Sequence, residues 1–357
     1  MSSAAPIAPR DDLALREGYH SPQVEVEVRL NTNESPYGPP EGFAAALAEE
    51  LATIDWNRYP DRAALALRTD IGALHGVGPE QVFAANGSNE VLQTVLLTYG
   101  GLGRRAAVFE PTYALHSHLA RITGTGVVTG ERGADYSLDV DDVRDFVDRH
   151  VPAVVFLCSP NNPTGRTESR RVIEAMAADT TRLTVVDEAY GQFADRSALD
   201  LVAEDRPFVV TRTFSKTWAM AGARLGYLIG PTWLVAELEK VVLPYHLDAA
   251  KQIAGRVALR FGDEMQARVA TLREERGRLV GRLTELDVDV VPSDANFVLF
   301  RPRSVDAEVV WQRLVDASVL VRNCASWPRL EGCLRVTVGT QGEDDRFLDA
   351  LEEILRS

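Results

Sequence analysis

Short apolar runs rich in β-branched residues constrain this chain more than any other feature: Gln81 to Ala84, Ala106 to Phe109, Ala153 to Leu157, Leu183 to Val186, Phe208 to Thr211 and Leu225 to Ile229. They are apolar on both faces, and longer helix-compatible stretches separate them. Strands of this kind are buried on both sides, as in a mainly parallel sheet covered by helices. An α/β layer architecture is therefore expected.

Around Pro231 the pattern changes. Helical periodicity appears in Thr232 to Leu243 and in a charged run from Ala249 to Leu286. Strand-like Asn296 to Arg301, helix-like Asp306 to Ala317, and strand-like Val319 to Arg322 and Cys333 to Val338 follow. This succession predicts a smaller α+β domain, and 357 residues exceed the usual size of a single core. The expected division is an N-terminal arm over residues 1–30 packing with the small domain, a large domain over 31–240 and a small C-terminal domain over 241–357.

The net charge of −14 argues against nucleic acid and anionic membrane surfaces as general partners, without excluding a local basic pocket. Cys158, Cys324 and Cys333 form no CxxC pair, so neither a disulfide framework nor a zinc knuckle is suggested. Met1 to Arg10 lacks an apolar core of signal-peptide length, and no stretch reaches the uninterrupted apolar length of a membrane span. A cytoplasmic protein is expected.

The polar residues with chemical potential sit where the apolar runs end. Loops after the carboxyl ends of parallel strands hold ligands in open α/β sheets. In Ser159-Pro160-Asn161-Asn162-Pro163-Thr164-Gly165, two prolines fix the backbone so that an asparagine amide can be aimed; a plain turn is the alternative. Asp187 leaves the run Val185-Val186 with Tyr190 three residues on, and a carboxylate there can hold a proton on a heterocyclic nitrogen. Lys216 follows Thr213 and Ser215 and precedes Arg224. A partly desolvated lysine forms Schiff bases with aldehydes, and two hydroxyls with a guanidinium suit a phosphate.

Two weaker signals join these. Asn86-Gly87-Ser88-Asn89 lies between a strand and an apolar helix, where backbone N–H groups offer a phosphate seat. Tyr113 follows the strand ending at Phe109 and could stack on a planar cofactor or serve the core. His116 and His118 have no third ligand nearby and are expected on a helix surface rather than on a metal; no metal site is predicted.

In this order and at these separations, the motifs resemble those of the fold-type I pyridoxal-phosphate aminotransferases, from Leu30-Asn31-Thr32-Asn33-Glu34 to Leu334-Arg335-Val336-Thr337-Val338-Gly339. The resemblance implies a large domain with a mainly parallel seven-stranded sheet sandwiched by helices, and pyridoxal 5'-phosphate as cofactor. Lys216 would bond covalently to it, Asp187 would pair with its pyridinium nitrogen, Tyr190 and Asn162 would hold its ring hydroxyl, and Tyr113 would stack on the ring. Ser88, Asn89, Thr213, Ser215 and Arg224 would meet the phosphate. Asn57-Arg58-Tyr59-Pro60 resembles a segment whose tyrosine reaches the cofactor phosphate of a neighbouring subunit, which implies a homodimer with shared active sites.

Within that class the chain is similar to the histidinol-phosphate aminotransferases. The similarity rests on Gly18-Tyr19-His20-Ser21-Pro22, Arg29 to Glu34, Asn57 to Pro60, Leu243-Pro244-Tyr245-His246-Leu247, Val321-Arg322 and Cys333-Leu334-Arg335. Ser35 stands where the family segment often carries a second asparagine. The implied substrates are L-histidinol phosphate and glutamate or 2-oxoglutarate, with Tyr19, Asn33, Arg322 and Arg335 binding them. One cationic site must then accept a phosphate in one substrate and a carboxylate in the other, which a planar guanidinium fork can do. An aromatic amino acid aminotransferase and a threonine-phosphate decarboxylase are the alternatives on the same scaffold.

Overall fold

The computed structural model describes Ile7 and residues 24–356. Its larger sheet has seven strands, β2 (Val82–Ala85), β3 (Arg105–Glu110), β4 (Gly126–Glu131), β5 (Val154–Cys158), β6 (Leu183–Asp187), β7 (Phe208–Thr213) and β8 (Gly226–Ile229). Their spatial order is β2-β8-β7-β6-β5-β3-β4, parallel from β7 to β4, with β8 antiparallel to both of its neighbours. Every residue of β5, β6 and β7 is buried.

Alternation along β5 explains that burial. Val154 and Phe156 pack with helices α3 (Ser88–Tyr99), α4 (Ala114–Ile122) and α7 (Thr232–Val241), whereas Val155 and Leu157 pack with α5 (Val140–His150) and α6 (Arg170–Ala177). Two apolar faces on one strand produce the unbroken apolar runs seen in the sequence. The edge strand β4 is mostly exposed or half-buried and contains two glycines, so it carried no such run.

A second sheet, ordered β1-β11-β12-β10-β9, joins β1 (Val28–Leu30) to β9 (Val288–Val290), β10 (Phe297–Pro302), β11 (Val319–Asn323) and β12 (Leu334–Thr337). β1 pairs in parallel with β11, Val28 opposite Val319, and buries Val28 and Leu30. Helices α9 (Gly262–Thr284), α10 (Ala307–Asp316) and α11 (Gln341–Arg356) pack their apolar faces on this sheet. The charged run expected from Ala249 to Leu286 is two helices, because α8 (Ala249–Leu259) ends before Phe261, whose ring packs edge-on against Phe43 at 6.1 Å. The remaining helices, α1 (Phe43–Leu51) and α2 (Leu65–His75), contact α8. Among the described residues no helix is long and apolar enough to cross a membrane.

Candidate active site

The parallel strands β5, β6 and β7 end at Cys158, Asp187 and Thr213, and the cavity opens beyond these ends, where the topology of an open α/β sheet places ligands. Its volume is about 210 Å³. Among the described residues, every candidate for binding cofactor or substrate lines it except Tyr59. Tyr59 is 81% exposed and stacks on Tyr245 at 4.6 Å, outside the cavity. Tyr19 lies outside the described residues.

Asp187 closes β6 and is 1% exposed. Its Oδ1 accepts the Ala189 backbone N–H at 3.1 Å, and its Oδ2 lies 2.9 Å from His116 Nε2. His116 is therefore no helix-surface residue, contrary to expectation: it is fully buried and stacks on Phe156 with centroids 4.7 Å apart. The pattern Leu115, His116, Leu119, Ala120 follows the apolar stripe of α4, so helical spacing was the signal that could have found it. His118, two residues on, falls off the stripe and is half-buried.

Lys216 follows β7, and its Nζ donates to the Thr32 backbone carbonyl at 3.0 Å. Burial lowers its pKa to about 7, Arg335 and Arg224 add to the shift, and Glu34 opposes it. Near neutral pH a large share of this amine is thus unprotonated, as a nucleophile or base requires.

At one end of the cavity, α3 begins at Ser88 without a side-chain cap, so its first N–H groups and helix dipole favour an anion. Arg224 Nη1 donates to Ser215 Oγ at 3.2 Å, and Thr213 Oγ1 donates to Ser215 Oγ at 3.0 Å. Two glycines make this convergence possible. A Cβ on Gly87 (φ +82) would stand 2.9 Å from Arg224 Nη2, and one on Gly226 would stand 2.2 Å from the Ser88 nitrogen.

Asn161 and Asn162 divide the work of their loop. Asn161 is fully buried and bonds Pro111 O, Thr112 Oγ1 and Thr164 Oγ1, whereas Asn162 lines the cavity and accepts from Arg335 Nη1 at 2.5 Å. The Asn162-Pro163 peptide is cis. Tyr190 hydroxyl accepts from Asn33 Nδ2 at 2.9 Å, and burial raises its pKa. Asn33 is anchored in turn by Thr337 of β12 at 3.0 Å. The Tyr113 hydroxyl donates to Asn89 Oδ1 at 3.4 Å.

The opposite end belongs to the five-stranded sheet. Arg322 of β11 and Arg335 of β12 are directly opposed across antiparallel strands. Arg335 is 4% exposed, its Nη2 donates to the Asn31 carbonyl at 2.8 Å, and its Nε has no hydrogen-bond partner among the described residues. Like charges opposite one another repel, so an anion between them would relieve both groups. Asn31, Thr32 and Trp327 were given no site role from the sequence; they sit in loops, where no periodicity marks them.

The donor set suits a phosphorylated, ring-bearing aldehyde: an amine poised near neutrality, a buried carboxylate on the cavity wall, an anion seat at a helix start and a hydroxyl from Tyr190. Comparison with known proteins agrees. The family described as "Aminotransferase class I and II" matches residues 25–351. The histidinol-phosphate aminotransferase of Frankia casuarinae is 46% identical over 361 residues, covering 97% of this chain and 90% of the relative. That of Thermobifida fusca is 46% identical, covering 96% and 94%. The crystal structure of histidinol-phosphate aminotransferase from Sinorhizobium meliloti in complex with pyridoxal-5'-phosphate shares the fold, with a TM-score of 0.85, 24% identity, and 93% and 91% coverage.

Proposed function

Because the chain belongs to the class I and II aminotransferase family, we propose that it transfers the amino group of L-histidinol phosphate to 2-oxoglutarate, with pyridoxal 5'-phosphate as cofactor. The products are 3-(imidazol-4-yl)-2-oxopropyl phosphate and L-glutamate, a step of L-histidine biosynthesis. The observation that carries the substrate is the opposed pair Arg322 and Arg335 on the cavity wall. Such a pair suits two substrates of which one brings a phosphate and the other a carboxylate.

When bound, the cofactor supplies an aldehyde carbon and an electron-poor ring that accepts electrons from a broken C–H bond. The chain's own residues do the rest. Lys216 would hold the cofactor through its Nζ and be freed when a substrate amine binds there. The freed Nζ would take the proton from the carbon bearing the substrate nitrogen and, as the ammonium, deliver it to the former aldehyde carbon, so that the amino group changes hands. Asp187, oriented by His116, keeps a proton on the ring nitrogen by its adjacent negative charge. Asn162 and Tyr190 would hold the ring hydroxyl, Tyr113 would stack on the ring, and Ser88, Asn89, Thr213, Ser215 and Arg224 would hold the phosphate. Asn33, Arg322 and Arg335 meet the substrate, joined by Tyr19 from the arm.

The enzyme works in the cytoplasm as a homodimer in which Tyr59 reaches the cofactor phosphate of the neighbouring subunit. In support, Trp56, Tyr59, Leu243 and Tyr245 are exposed on a single chain, an apolar set that a second copy would cover. The deciding experiment mixes purified protein with L-histidinol phosphate and 2-oxoglutarate and measures glutamate. Rapid reaction with phenylalanine and none with L-histidinol phosphate would overturn the substrate; carbon dioxide release from threonine phosphate would overturn the reaction type.

A further inference from the structure

Trp327 lies on the loop between β11 and β12 and lines the cavity, yet belongs to no motif. Its ring is 5.8 Å from the guanidinium carbon of Arg322 and 5.9 Å from that of Arg335, so one indole spans both cations. Phe297 also lies against Arg335, at 5.1 Å, but is fully buried in the core. The loop fixes Trp327: its N–H donates to the Cys324 carbonyl at 2.9 Å and its carbonyl accepts from Leu330 at 3.2 Å. Beneath it sits a buried apolar cluster of Leu299, Cys324, Leu330 and Cys333.

The strand register forces Arg322 and Arg335 together, and their like charges push the side chains apart. An indole face carries negative potential and attracts a guanidinium laid over it, most strongly where water is excluded. A ring shared by two guanidinium groups therefore counters their repulsion and keeps both forks aimed into one cavity. We propose that Trp327 is a positioning residue that makes the arginine pair selective for a phosphate monoester over a carboxylate. A phosphate monoester offers three oxygens and up to two charges and draws on both forks. A carboxylate offers two oxygens and one charge, and the fork of Arg335 alone can meet it. This inference rests on the reading that the site takes a phosphate-bearing amine and a dicarboxylic partner in turn.

The test uses holoenzyme and follows the cofactor absorbance in single turnovers, with L-histidinol phosphate reacted with the aldehyde form and 2-oxoglutarate, separately, with the aminated form. Trp327→Leu should weaken half-saturation by L-histidinol phosphate roughly tenfold and change that for 2-oxoglutarate less than about threefold, as expected for loss of a partly buried cation–π contact. Trp327→Phe, which keeps an aromatic face, should restore most of the difference. Equal losses for both substrates, or a Phe variant as impaired as the Leu variant, would overturn the proposal. Should the wild-type enzyme ignore L-histidinol phosphate, the substrate reading falls alone. Inorganic phosphate and acetate, as competitors of the 2-oxoglutarate reaction, then decide: a selective loss of phosphate inhibition in Trp327→Leu upholds the role of Trp327, and its absence overturns it.

Discussion

The two cationic ends of the cavity are built by different means. At one, the start of α3, the hydroxyls of Thr213 and Ser215, and Arg224 converge from segments of the seven-stranded sheet; Gly87 makes room for the Arg224 guanidinium, and Gly226 lets backbone approach backbone. At the other, Arg322 and Arg335 are side chains on facing strands of the five-stranded sheet, and Arg335 is already bonded to Asn162 and the Asn31 carbonyl. Main-chain N–H groups have one geometry and suit an anion that stays. Guanidinium forks can exchange one partner for another, which suits anions that come and go. On the proposed function the first end seats the cofactor phosphate and the second reads substrates.

The most damaging way to test this division is to remove what both ends serve. Lys216→Ala should lower glutamate formation by at least ~10⁴-fold with either donor, since both the covalent attachment and the proton transfer are lost. A variant that retains the absorbance of lysine-bound cofactor would refute the assignment.

Next in size is a paired exchange at the two ends. Arg335→Lys keeps the charge and loses the fork, and should reduce kcat/KM about 100-fold for both substrates, because the lysine cannot pair with two oxygens at once. Arg224→Lys should instead raise the cofactor concentration needed for half-maximal activity while leaving the ratio of the two substrates' kcat/KM unchanged. If Arg335→Lys raises the cofactor requirement while Arg224→Lys, at saturating cofactor, lowers kcat/KM for both substrates, the two ends have been assigned the wrong way round.

His116 belongs to neither end. His116→Phe preserves the stack on Phe156 but leaves Asp187 Oδ2 without its buried partner, and the expected loss is about tenfold in kcat. A rise of similar size in KM with kcat unchanged would mean that the histidine only shapes the pocket.

How legible these parts were follows from what surrounds them. β5, β6 and β7 could be read because two apolar faces leave an unbroken run, and Asp187 and Lys216 could be read because each interrupts or follows such a run. β4 escaped because an edge strand with one open face needs no such run, and β1 and β9 because each is three residues long. The burial of His116 is legible only in its place on the apolar stripe of α4, because a histidine's side-chain type alone points to a helix surface. Trp327 and Thr32 act through a ring face and a backbone carbonyl, and neither leaves a spacing in the sequence.

The smallest effect separates the two ends most finely, because both act on the same amine. Burial does most to lower the Lys216 pKa to about 7; Arg335 comes next, Glu34 opposes, and Arg224 follows. In protein stripped of cofactor, the rate of cofactor attachment should rise with pH through this value and level off above it, so that at pH 7 it runs at about half its plateau. Arg335→Gln should move the midpoint upward, and by more than Arg224→Gln does, if the substrate-reading end lies electrostatically closer to the lysine than the phosphate seat. The sign also appears in stability. The unfolded lysine, at 10.5, binds a proton that the folded one gives up above about 7. Stability of the stripped protein should therefore climb between these two values, and Lys216→Met should flatten that climb in denaturant titrations at pH 7 and pH 9. An equal slope in wild type and variant would show that the folded lysine keeps its proton, and the order of the two arginines would lose its meaning.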